Sequence, residues 1–290
     1  MRMFKFGLIG LVVICFLSCQ KELSLENANS VPPPPDTSTV PPPDTLGDLL
    51  VRAVTKYSAS DSVVELYSYD GAKRLIGVNT TGTVSGTDIS NSETIKRDGS
   101  GNITQIVIVN AQVGGTLTTD VFFDALNNRY SHSVIRFTFN GSTYVDSTVF
   151  VYNAAGLIIE TNDYQEDPVA GYQLTTKHQY TYSGASIDSV KLYNVDLVTG
   201  NADWISALAY GYDGKTNPLV LSNGDAILLS LPSNFSPNNN NSVKSIDVHV
   251  PTNGFTVTNN FTYNSKNKPV TVVATQSPGG ASYSGTFYYQ

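Results

Sequence analysis

The chain is poor in the residues on which most protein chemistry depends. Of 290 residues only two are cysteine, Cys15 and Cys19, so everything beyond them can form neither a disulfide nor a thiolate metal site. Only three histidines occur, His132, His178 and His249, spaced far apart. No GxSxG elbow, HExxH, phosphate loop or CxxC is present. Charged residues make up 14% of the chain, and the 17 lysines and arginines are outnumbered by 24 acids. With no basic run, such a surface repels nucleic acid, which is excluded as a partner. Helical periodicity is almost absent, and after the first residues no apolar run approaches the length of a membrane helix. No cofactor, no metal ion and no catalytic residue is expected, and the chain is not expected to be an enzyme.

What is present begins with MRMFKFGLIGLVVICFLS, a short basic start (Arg2, Lys5) followed by an apolar run of signal-peptide length. Leu17 and Ser18 before Cys19 resemble the lipobox at which bacterial lipoproteins are cut and acylated, although Phe16 stands where an aliphatic residue is usual. The resemblance implies that residues 1–18 are lost, that Cys19 carries the lipid, and that the protein is anchored at the outer membrane on its periplasmic or surface side. Two or three acyl chains would hold it without a spanning segment. Removal of Arg2 and Lys5 leaves a mature charge near −9.

Residues 19–47 read as a linker. VPPPPDTSTVPPPDT forbids helix and disfavours sheet pairing, and as polyproline II it would stand off roughly 45 Å.

From residue 48 to 290 the pattern is period-two alternation, predicting one all-β domain. Ile135, Phe137 and Phe139 share a face, as do Phe255, Val257, Phe261 and Tyr263, and Ile246, Val248 and Val250. A unit recurs: aromatic, any residue, aromatic, then Asp, Asn or Ser, small residues, and an aliphatic pair. It appears as YSYDGAKRLIGV from Tyr67, FVYNAAGLIIE, YTYSGASIDSV, YGYDGKTNPLV and FTYNSKNKPVTVV, with weaker copies at IKRDGSGNITQI and FFDALNNRY. Taken from the second aromatic position, Tyr69, Arg97, Phe123, Tyr152, Tyr182 and Tyr212 lie 26 to 30 residues apart. Paired rings bury one face, the Asx residue bonds its own turn, and Gly or Asn supplies the positive φ, so each unit is a hairpin that must stack on the next. The fold expected is an antiparallel meander of about a dozen strands, an open twisted sheet or a partly closed barrel.

YSYDGAKRL and FVYNAAGLI resemble the YD repeat of RHS-type bacterial proteins, close to YxYDxxGRL. The whole layout is similar to that of a family of Gram-negative lipoproteins with a lipobox, a spacer, YD-like repeats, YGYDGKTNP and SPNNNNSV. The resemblance implies fold and location but no activity, and a handful of copies is too few for the closed shell of the long RHS toxins. The interval NPLVLSNGDAILLSLPSNFSPNNNNSVKSI (217–245 with its flanks) breaks the rhythm. Asp225 to Leu231 is predicted as a helical turn ended by Pro232 that plugs an end or edge of the sheet, with a recognition loop as the rival reading.

Candidate chemistry is sparse. Asp98, Ser100 and Asn102 resemble the start of a calcium loop without its later glycine and glutamate, and a turn explains them better. DYQED (163–167) gathers carboxylates in what reads as a solvated loop. The aromatics left over, Trp204, Tyr283, Phe287 and Tyr289, are the ligand-facing candidates, and His249 sits on a polar face. The function expected is a lipid-anchored, non-enzymatic binding or interaction module of the cell envelope, with a protein or polysaccharide partner at the cell surface. An accessory glycan-binding lipoprotein is the first alternative; a glycoside hydrolase, which would need two carboxylates in a cleft, is the second.

Overall fold

The computed structural model describes residues 48–290 apart from 112–114, 140–141 and 168. The signal at 1–18, the linker at 19–47 and Cys19 lie outside the described residues. The chain forms sixteen strands in one closed antiparallel meander: β1 (Leu50–Lys56), β2 (Ser62–Tyr69), β3 (Leu75–Val84), β4 (Thr87–Arg97), β5 (Ile103–Asn110), β6 (Gly115–Asp124), β7 (Arg129–Phe139), β8 (Ser142–Tyr152), β9 (Ile158–Asp167), β10 (Gly171–Ser183), β11 (Ser186–Val195), β12 (Ala202–Thr216), β13 (Asn238–Asp247), β14 (Phe255–Tyr263), β15 (Pro269–Ser277) and β16 (Ser282–Tyr289). β1 pairs with β16, Ala53 opposite Phe287.

The sheet therefore has more strands than the sequence suggested and is closed where an open or partly closed sheet was expected. The repeats account for the difference. Each copy supplies an even-numbered strand, a turn and a return strand. The SYSGTFYY segment, read above as leftover aromatics, is an eighth copy that pairs with the first strand. Closure also removes the free sheet edge that an open meander would have offered to a partner strand.

Every copy uses the two aromatic positions for different tasks. The first packs on a common core in seven copies, as Tyr67, Ile95, Val121, Phe150, Tyr180, Tyr210 and Phe287, and in the remaining copy Phe261 lies with its ring 6.2 Å from that of Phe287. The second follows a bulge, which recurs between Ser68/Tyr69, Lys96/Arg97, Phe122/Phe123, Val151/Tyr152, Thr181/Tyr182, Gly211/Tyr212 and Thr262/Tyr263. In all seven pairs one extra residue on the partner strand (Ile76 in the first) bends the wall at the rim. The bend aims the second side chain sideways at the first or second residue of the preceding return strand. Tyr152 Oη donates to the Tyr130 carbonyl at 2.8 Å, Tyr212 to Ile187 at 2.8 Å, Tyr69 to Leu50 at 2.7 Å and Tyr289 to Pro269 at 2.7 Å. Tyr182 does the same to Ile158. Where the copy carries arginine, Arg97 Nε donates to Leu75 at 3.1 Å. The repeat thus stitches neighbouring hairpins around one rim of the barrel.

The turns at this rim are built as the sequence indicated. Asp70 Oδ1 accepts from the amides of Ala72 and Arg74, both at 2.9 Å, and Asn153 and Asn264 repeat the arrangement. Asp98 does likewise with Ser100 and Asn102, so its oxygens serve the turn. The positive φ falls on Lys73, Gly101, Gly156 and Asn267. A Tyr212→Phe substitution leaves the carbonyl of fully buried Ile187 without its donor. It is expected to lower stability by about 1–2 kcal/mol in urea unfolding.

Sixteen strands enclose a space wider than wall side chains can fill. The irregular segment between β12 and β13 solves this at the stitched rim. Helix α1 (Asn223–Leu228) is capped by Ser222 Oγ, which accepts from the Asp225 amide at 3.1 Å, and a 3-10 turn follows at Pro232–Phe235. Leu219, Leu221, Ala226 and Ile227 are buried against Ile103, Ile158 and Ile187 of the wall. A side chain at Gly224 would come within 2.6 Å of the Tyr130 ring, so only glycine lets the plug seat there. The expected plug is borne out in kind, though its helix begins two residues earlier.

Candidate lumenal site

The plug is held by a polar network that the sequence reading missed. Arg97 Nη1 lies 2.9 Å from Asp225 Oδ2, with the two side chains 6% and 13% exposed. Arg97 Nη1 also donates to the Gly101 carbonyl at 2.8 Å. Asp225 Oδ1 accepts from Tyr130 Oη at 2.8 Å, and that oxygen accepts the Ile103 amide at 2.8 Å. Asn223 bridges to the wall with both ends of its amide, accepting from Ile158 N and donating to Tyr182 Oη, at 2.8 and 2.9 Å. The one signal for this in the sequence is that Arg97 stands in an aromatic slot.

Strand register assigns the paired wall residues to a face. Inside, above the aromatic layer that grips the plug, the next inward positions are mixed: Glu65, Glu93, Thr119, Thr148, His178 and Asn259 are polar, whereas Ile108, Ile135, Leu192 and Leu208 are apolar. Beyond them come Asn91 and Asp146. Asp163 joins this wall from β9, opposite Thr148, accepting from Thr148 Oγ1 at 2.6 Å and lying 3.2 Å from His178 Nδ1. Outside, the same alternation gives Asn79, Thr81 and Thr83 on β3, Ser90, Ser92 and Thr94 on β4, Thr256, Thr258, Asn260 and Thr262 on β14, and Ser282, Ser284 and Thr286 on β16. Charges stand on the outer wall at Lys96, Asp120, Arg136, Lys177, Lys191 and Lys244, with Arg136 paired to Asp120 and Lys177 to Glu160 at 3.7 Å. The exposed outward apolar residues, such as Leu66, Val109, Phe122, Val149 and Val273, are interspersed with these polar ones.

Three lumenal carboxyls, Glu65, Glu93 and Asp146, are pushed toward their neutral forms. Glu93 is raised to about 7, by burial and then by Glu65; Asp146 is raised to about 6, by burial and then by Asp163. Burial also raises Glu65, against the hydrogen bond it accepts from Tyr67 Oη at 2.9 Å. A carboxyl with a raised folded pKa holds its proton more tightly when folded. Its stabilising contribution is complete below the unfolded pKa and disappears as pH rises through the folded value. The thermal midpoint is therefore expected to be higher at pH 5 than at pH 8. Glu93→Gln should remove much of that difference, as scanning calorimetry at the two pH values would show.

The residues singled out from the sequence do not meet. Phe287 is partly buried against the core and lines a small cavity with Tyr67 and Phe261, and Tyr289 is buried with its hydroxyl on Pro269. Tyr283 is lumenal, 5.8 Å from Tyr57. Trp204 lies on the outer wall opposite Tyr193, with Lys191 Nζ 5.1 Å from its ring. DYQED is not a loop but the end of β9, with Asp163 inward. In SIDVHV the strand ends at Asp247 and the faces are reversed: Ile246 is outward and Asp247 inward, because the bulges at Gly211/Tyr212 and Tyr212/Thr216 set the register of β13. His132 stacks on Phe122 outside, His178 is lumenal, and His249 reaches Asp203 at 3.1 Å in a loop. A cleft of about 540 Å³ at the stitched rim, between the turns and the plug, contains Arg74, Arg97 and Arg129. All three are engaged, with Asp70, Asp225 and the Tyr152 ring. Among the described residues no group of three side chains could hold a metal ion.

No family model and no curated protein sequence matches the chain. Among solved structures it is similar to a porin-like protein from Bacteroides uniformis ATCC 8492, at 13% identity and a TM-score of 0.50, covering 83% of this chain and 98% of that one. A porin-like protein from Bacteroides vulgatus ATCC 8482 aligns at 14% identity and a TM-score of 0.49, over 84% and 99% of the two chains. At these identities the likeness is one of fold: a closed barrel of antiparallel strands.

Proposed function

We propose that the protein is a lipid-anchored, non-enzymatic binding cup of the cell envelope, with its barrel standing in water and its ligand taken into the lumen. The observation that carries this reading is the distribution of the two faces. Apolar side chains and the plug fill the inside of one end, while on the outside Ser, Thr, Asn and charged residues are mixed with apolar ones such as Leu66, Val109, Val149 and Val273. A barrel that spans a bilayer needs the reverse, an outward apolar band about 25 Å tall.

Direction follows from the chain path. Asp48 and Leu49 donate to the Gln290 carbonyl at the stitched rim, at 2.9 and 3.0 Å. The chain thus enters beside the plug, and a lipid on Cys19 would place the plugged end toward the membrane and the open mouth away from it. Sixteen strands and the porin-like neighbours favour a second reading, a pore through the outer membrane. That pore would be blocked at one end by a plug carrying a buried ion pair, and its outer wall would put Lys177 and Lys244 into lipid.

A screen of soluble polysaccharides and small molecules against the intact lipoprotein tests the cup. Binding that is lost when the lumen is narrowed by Thr119→Trp, and kept when the outer wall is altered by Thr118→Trp, is the expected result. Binding that responds only to the outer substitution would refute it.

A further inference from the structure

Charge is sorted across the wall of the barrel. Above the plugged rim every strand lysine and arginine whose face the register assigns, Arg52, Lys96, Arg136, Lys177, Lys191 and Lys244 among them, points outward. Glu65, Glu93, Asp146 and Asp163 point inward. Of these, Asp163 is satisfied by Thr148 and His178, and Glu65 accepts from Tyr67. Asp146 is different. It is 7% exposed, and neither carboxylate oxygen has a hydrogen-bond partner. A buried carboxylate without a donor carries its full desolvation cost. Four residues among those described bury an oxygen with no partner; Asp146, Asn91 and Asn259 face the lumen and Asn162 the outer wall. What Asp146 lacks is a hydrogen-bond donor and a cationic partner.

We infer that the lumen takes a protonated amine on a small hydroxylated or aliphatic body, with Asp146 as its principal acceptor and Asp163 beside it. The inference rests on the reading of the barrel as a lumenal binding cup. An ammonium group brings three donors and the missing charge to an acceptor that no protein group serves, and its binding would stabilise the ionised form of Asp146. An amino sugar and a polyamine share this chemistry.

Isothermal titration of the intact lipoprotein with glucosamine, with N-acetylglucosamine and with spermidine separates the cases. Saturable binding of glucosamine or spermidine is expected, with N-acetylglucosamine at least tenfold weaker than glucosamine if the amino sugar is the one taken. Asp146→Asn should weaken amine binding at least tenfold with no loss of thermal stability. Asp120→Asn, which removes an outward carboxylate, should leave binding within twofold of the original and so exclude attraction by net charge. Absence of amine binding, or binding unchanged in Asp146→Asn, overturns the inference. Lumen-dependent binding of the neutral sugar at equal strength overturns it too while leaving the cup intact.

Discussion

Arg97→Ala should destabilise the barrel by about 3–5 kcal/mol, because it strands Asp225 as an unpaired charge in the plug. The same substitution removes the donors to the Leu75 and Gly101 carbonyls, so the rim loses one of its stitches along with the ion pair. A buried pair and a lost stitch make different predictions for the double variant. In Arg97→Ala/Asp225→Ala no charge is left behind, so a substantial part of the loss should be regained in urea unfolding. The residual deficit measures the stitch and the Tyr130 hydroxyl, which then donates to no carboxylate. Equal destabilisation of the single and double variants would show that the ion pair is not what seats the plug.

The second large effect concerns neighbours on β5. Ile106 is 3% exposed and packs in the core, whereas Val107 points outward between Thr94 and Thr118. Ile106→Lys puts an unpaired charge into that core and is expected to cost about 4 kcal/mol or more. Val107→Lys joins a wall already carrying Lys96 and Arg136 and should change stability by less than about 1 kcal/mol. In a barrel surrounded by lipid the outward lysine would itself cost about 2–4 kcal/mol near the bilayer midplane. Comparing the two midpoints in denaturant without detergent reads the contrast directly.

Much of this was legible in the residues. The alternation in FTVTNNFTY put Val257, Phe261 and Tyr263 on one face, and the Asx turns formed where Asp70, Asp98, Asn153 and Asn264 stand. The plug was visible as an apolar break in the repeat. Closure was not, because hairpins and barrels share one local grammar and differ in a single long-range pairing, β1 with β16. Nor was it legible which face looks inward, since period two fixes alternation but not direction. Ile246 illustrates this: it looked like core, and the bulges in β12 turned it outward. The lumenal constellation escaped because its members, Glu65, Glu93, Asp146, Asp163 and His178, lie on five strands spread over more than a hundred residues. Only the closed register gathers them on one inner surface. The tyrosines were numerous enough to suggest a binding face, yet the hydroxyls of Tyr69, Tyr152, Tyr182, Tyr212 and Tyr289 are spent on neighbouring hairpins' carbonyls.

The measurement closest to the heart of this account is the fractionation of Cys19→Ala expressed with its signal. If lipid alone holds a barrel with a wet exterior, the variant should leave the membrane and stay folded, soluble and β-rich in detergent-free buffer. Retention in the membrane pellet after an alkaline carbonate wash, with detergent needed for extraction, would show that the wall itself meets lipid.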